Sequence, residues 1–132
     1  MADIKKEPVK TEQDEKEQDL AEQEARKDAE VNTAVKFTLK LINPVQYEGR
    51  EYKEFRFNFE NLGGADHLNI ETELNSMGIV VITPSYQTQY LMRMCARACE
   101  ERVDVDLLTK LKLRDFLALR NKARNFLMSS EQ

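Results

Sequence analysis

Val35-Lys36-Phe37-Thr38-Leu39-Lys40-Leu41 places an apolar side chain at every second position, and Phe55-Arg56-Phe57-Asn58-Phe59 repeats the pattern after a turn-rich interval. Alternation of this kind belongs to strands with one buried face. Past Gly63-Gly64 the apolar residues recur three and four apart as far as Met128, which is helical spacing. The change of period predicts a hairpin followed by helices, an α+β chain. In the hairpin, Gly49 supplies the positive φ of a tight turn, and Pro44, lacking an N–H, belongs at a bulge or edge. The expected strands run over 35–47 and 50–59. A lone hairpin is marginal in water, so its phenylalanine face needs cover. The helices supply it.

The first helix is expected over 65–77, with Leu68, Ile70, Leu74 and Met77 as its apolar positions and Gly78 as its stop. Ile79 to Ile82 reads as a short strand or a buried connection. Thr83-Pro84 then offers a cap and a first-turn proline for a helix over 84–102, whose stripe is Tyr90, Leu91, Met94, Cys95, Ala98 and Cys99. A linker, 103–110, leads to a last helix with Leu113, Phe116, Leu117, Leu119, Ala123, Phe126 and Leu127 on its apolar face. About three helices packed on the hairpin make one α+β domain over 33–130.

Charge separates the rest. Residues 1–30 hold eleven acids and six bases, a net −5, while the whole 132-residue chain is −4 and the remainder is therefore +1. This arm, residues 1–32, has no aromatic side chain and few large aliphatics, so it reads as disordered in isolation. Ala21, Ala25 and Ala29 share one stripe, which leaves open a helix that folds against a partner. No secretory-type apolar segment and no stretch near the ~20 apolar residues of a membrane span occurs. A cytoplasmic protein without membrane partners is expected.

No constellation for catalysis, cofactor or metal emerges. Cys95 and Cys99 lie four apart on one helical face and read as buried thiols, and the single histidine, His67, reads as a surface helix residue. Gly63-Gly64 matches no phosphate loop, and neither Ser76 nor Ser85 sits in a nucleophile elbow. Glu71 with Glu73 and Asp104 with Asp106 read as structural, the aspartates as caps for a following helix. Lys110 to Arg124 contains six bases and one acid, Asp115. Three readings of that segment stay open: a solvated face, a docking site for an acidic protein segment, or, ranked last, a nucleic-acid contact without aromatics for base stacking.

The succession Phe37-Thr38-Leu39, Pro44-Val45-Gln46-Tyr47-Glu48-Gly49-Arg50-Glu51-Tyr52-Lys53-Glu54-Phe55, a helix ending at Gly78, Tyr90 to Cys99, Leu108-x-x-Leu111-x-x-x-Asp115 and Phe126-Leu127 resembles the tail assembly chaperones of long-tailed bacteriophages over about residues 35–128. The resemblance implies a non-enzymatic protein of the infected or lysogenic bacterial cytoplasm, absent from the mature virion. It would coat the tape-measure protein, keep it soluble, recruit major tail-tube subunits and leave. Family members often occur in a short form and a frameshifted longer form. The acidic arm is not part of the family pattern. Contacts are expected at exposed Tyr47 and Tyr52 and at Arg114, Arg120 and Arg124, with self-association through a free hairpin edge. Alternatives are a tail completion or joining protein of the virion and a nucleic-acid module.

Overall fold

The structure is a computed structural model that describes residues 35–130. The acidic arm, its expected disorder and the stripe of Ala21, Ala25 and Ala29 lie outside the described residues. The fold is α+β: an antiparallel hairpin of β1 (Lys36–Tyr47) and β2 (Arg50–Asn58) packed against helices.

The hairpin follows from its alternation. Phe37 pairs with Phe57 and Leu39 with Phe55, so the apolar sets of both strands share one face. The rings of Phe37 and Phe57 stack with centroids 5.1 Å apart, and Phe55, Phe57 and Phe59 are buried. At the tip Glu48 and Gly49 both take positive φ, 49° and 78°. That is the two-residue turn whose twist matches the strands. Lys40 pairs with Glu54 and Val45 with Tyr52, so Leu41 to Pro44 bulge opposite Lys53 alone. Pro44 sits in this bulge, where a missing N–H costs the ladder nothing.

Beyond a 3-10 turn at Phe59–Asn61, α1 spans Gly64–Ser76. Asp66 Oδ2 accepts the Gly63 N–H at 2.8 Å at its start. At its end Gly78, at φ 81°, donates to Asn75 while Ile79 donates to Leu74, the paired bonds of a Schellman stop. Ile70 and Leu74 face the core, whereas Leu68 and Met77 are exposed instead of lying on the buried stripe.

The 79–87 segment departs from expectation. It is not a strand, and the connection is only half covered: Ile79 and Val81 pack against the core, while Val80 and Ile82 are 66% and 79% exposed. Thr83 and Pro84 do take the cap and first-turn positions, but of a 3-10 turn, Pro84–Tyr86, and the Thr83 side chain makes no capping hydrogen bond. The Gln87 side chain explains the delay. Its Oε1 accepts the N–H groups of Ile82 and Thr83, both at 2.9 Å, and its Nε2 donates to the Val80 carbonyl at 2.9 Å. The helix therefore begins after this clasp.

That helix, α2 (Thr88–Ala98), is the centre of the domain, with Tyr90 to Cys95 and Ala98 all buried. The expected linker contains a helix of its own, α3 (Val105–Thr109), which Asp104 caps by accepting the Leu107 N–H at 3.0 Å. The last helix, α4 (Leu113–Ser130), buries Leu119, Ala123 and Asp115, and Phe126 stacks on Phe59 at 4.8 Å. Its first residue, Leu113, is exposed.

The outer edge of β2 is not free throughout. Arg56 donates its N–H to Glu101 Oε2 at 2.9 Å and accepts the Glu100 N–H at 2.7 Å, beside a bridge between Phe57 and Cys99.

Candidate functional site

The residues expected to meet a partner fall into two groups that the fold keeps apart. Tyr47 and Tyr52, expected to be exposed, are half-buried and pack on the core. Tyr52 stacks on Phe55 at 5.2 Å. Desolvation, then the carboxylates of Asp104, Glu48 and Asp106, hold the Tyr47 phenol above its ordinary value. The tyrosines are side chains of an amphipathic kind whose rings have apolar neighbours at hand, so the hairpin tip turns them toward the core.

The arginines lie on α4. Arg114 is exposed, while Arg120 and Arg124 are half-buried on the flank facing the Pro84–Tyr86 turn. Arg124 Nε donates to the Ser85 carbonyl at 2.9 Å, and its guanidinium lies 5.2 Å from the centroid of the Tyr86 ring, a cation–π contact. Arg120, one turn earlier, has its Nε buried with no hydrogen-bond partner among the described residues. A donor in that state lacks the acceptor that its desolvation calls for.

The sole acid of the basic segment is absent from its surface. Asp115 is 2% exposed, and its two carboxylate oxygens accept the N–H groups of Ile42 and Asn43 at 3.0 and 3.1 Å. Among the described residues, Lys110, Lys112, Arg114, Arg120, Lys122 and Arg124 form no ion pair with a carboxylate. One turn before Arg120 the surface dips into a shallow depression of about 320 Å³, lined by Thr109, Leu111, Leu113 and Phe116. Depression, Arg120, Arg124 and Tyr86 thus follow one another along the helix. Val80 and Ile82, on the loop that carries Tyr86, add exposed apolar surface.

A second polar assembly joins α1 to α2. The imidazole of His67 meets the Tyr90 hydroxyl at Nδ1 and the Glu71 carboxylate at Nε2, both at 2.5 Å. The expectation of a plain surface histidine missed this, because the four-residue step to Glu71 is visible in sequence but the reach to Tyr90 is tertiary. The relay borders an apolar cleft of about 220 Å³ floored by Phe59, Ile70, Met94, Phe126 and Leu127. Burial raises the Tyr90 phenol, with Glu71 and Asp66 adding to the shift, and both histidine nitrogens are occupied. A raised phenol is a poorer nucleophile at neutral pH, so the arrangement ties two helices together. Beside it Arg97 pairs with Asp66 at 2.9 Å, and buried Arg93 pairs with Glu73 at 3.0 Å.

Both cysteines are buried and free. Burial raises both thiols, Cys99 to about 12 and Cys95 further still. Among the described residues, no group of three or more His, Cys, Asp or Glu side chains is placed to hold a metal ion, and no helix is long and apolar enough to cross a membrane.

In comparisons with known proteins, no family model, no curated protein and no solved structure matches the chain.

Proposed function

We propose that this chain is a tail assembly chaperone of a long-tailed bacteriophage, a non-enzymatic protein that binds the tape-measure protein, keeps it soluble in the host cytoplasm, recruits tail-tube subunits and leaves before the virion is complete. The observation that carries the reading is the unneutralised basic flank of α4 set beside exposed apolar side chains of the 79–87 loop. A long helical client exposes apolar stripes before assembly, and many weakly bound copies of a small module cover such a client through avidity. The sequence resemblance over residues 35–128 supports the same reading. Of the five expected contact residues, Arg114 is exposed and Tyr47, Tyr52, Arg120 and Arg124 are half-buried; the reading rests on the three arginines because they lie on the basic flank of α4 without a carboxylate partner among the described residues.

The test is co-expression with a tape-measure protein from the same genome, for which the reading predicts a very long reading frame beside this one. The chain should co-purify with it and raise its soluble fraction, and charge reversal at Arg114, Arg120 and Arg124 together should abolish both. Unchanged co-purification removes the site assignment, and the chain's presence in purified particles favours a tail completion protein instead.

A further inference from the structure

The flank of α4 carries more than a charge. Phe116, Arg120 and Arg124 succeed one another at four-residue intervals, so they lie in one row about 12 Å long. At one end is the depression formed by Thr109, Leu111, Leu113 and Phe116, and at the other is Tyr86, 62% exposed, under the Arg124 guanidinium. The far end is held in place, because Arg124 bonds the Ser85 carbonyl and Gln87 clasps the loop before it. The middle of the row is incomplete. Among the described residues Arg120 forms no ion pair, and the carboxylate nearest in sequence, Asp115, is committed to Ile42 and Asn43.

From this row we infer that the α4 flank reads an acidic amphipathic helix of a partner protein. One apolar side chain of that helix fills the depression, and two carboxylates a turn apart face Arg120 and Arg124. The inference rests on the chaperone reading for the identity of the client and names the chemistry of the segment recognised. Charge complementarity selects the occupant. Among the described residues the two guanidiniums have no carboxylate, and two carboxylates at the same spacing match them, each meeting the terminal guanidinium nitrogens because Nε is covered in Arg120 and bonded to Ser85 in Arg124. The apolar ends require side chains that a nucleic-acid backbone does not offer. A helix laid on a groove presents its anchors at three- and four-residue steps, the spacing of the row itself.

Three fluorescent probes test this with the full chain: an 18-residue Leu/Glu amphipathic helix with glutamates four apart, its Glu→Gln twin, and a single-stranded oligonucleotide of the same net charge. The acidic helix should bind at least tenfold more tightly than its twin and than the oligonucleotide. Arg120→Gln and Tyr86→Ser should each weaken it about tenfold, while Lys53→Gln, on the hairpin, leaves it unchanged. Tyr86 is exposed, so its variant keeps the test valid if Arg120→Gln lowers stability. Equal binding of helix and twin, variants that bind like the parent, or tighter binding of the oligonucleotide overturns the inference. Loss of peptide binding with tape-measure co-purification intact removes this surface and leaves the chaperone reading. Peptide binding that obeys the variants without any tape-measure co-purification does the reverse.

Discussion

The carboxylate of Asp115, on the first turn of α4, accepts the backbone N–H of Ile42 at 3.0 Å across 73 residues of sequence. Its second oxygen takes the neighbouring Asn43 N–H, so one buried side chain fastens the last helix to the β1 bulge. The bulge leaves these donors without a ladder partner, and one side chain with two acceptor oxygens answers both.

Asp115→Ala is expected to cost about 3 kcal/mol, since hydrogen bonds to a carboxylate are worth roughly 1.5–3 kcal/mol each and two part-buried N–H groups lose their acceptor. For a domain of this size that lowers the thermal midpoint by on the order of 15 °C. Asp115→Asn, which retains one acceptor oxygen, should fall between variant and parent. Urea denaturation followed by circular dichroism measures both, and a loss under ~1 kcal/mol for the alanine variant would contradict this role.

Gln87→Ala should loosen the 79–87 loop without unfolding the domain. Hydrogen exchange at the Ile82 and Thr83 amides is expected to accelerate at least tenfold, while the global stability falls by about 1 kcal/mol or less, as its three bonds lie at an exposed site.

Asp66 gives a pH dependence with a definite sign. The Gly63 N–H first, and then the Arg97 guanidinium, hold its carboxyl below the ordinary 3.8. A group depressed by folding stabilises fully above its unfolded value, and that contribution is lost as pH falls through the depressed one. Asp66→Asn should therefore be less stable than the parent by about 1 kcal/mol at pH 7, with the difference closing at pH values well below 3.8. Urea midpoints at the two pH extremes check this.

The thiols should be silent in the folded protein. With Cys99 raised to about 12 and Cys95 higher, both are protonated at pH 8 and shielded by the core. An aromatic disulfide reagent is expected to label neither in buffer and both in 6 M guanidinium. Rapid labelling of Cys95 under native conditions would show that α2 opens.

The elements visible in sequence were those governed by local rules. Alternation at Val35 to Leu41 and Phe55 to Phe59 located the strands to within a residue or two, Gly78 stopped α1 in the left-handed region, and Asp104 capped the helix after it. Cys95 and Cys99 were legible as core residues because small apolar thiols at four-residue spacing have little else to do. What stayed hidden depends on long-range partners. The clasp at Gln87 delays α2 by four residues past Pro84, and five-residue α3 is too short to show a period. Asp115 looked like one acid among six bases, since nothing near it announces the bulge it serves. Burial of Tyr47 and Tyr52 likewise depends on what the hairpin tip packs against.

A two-stranded sheet ordinarily advertises its backbone to any extended chain that drifts past. At Arg56 this one has already been answered by its own Glu100 and Glu101. A second copy of the chain, or any other extended segment, therefore finds no open ladder at that point of the edge, and the sheet is closed there by the fold itself.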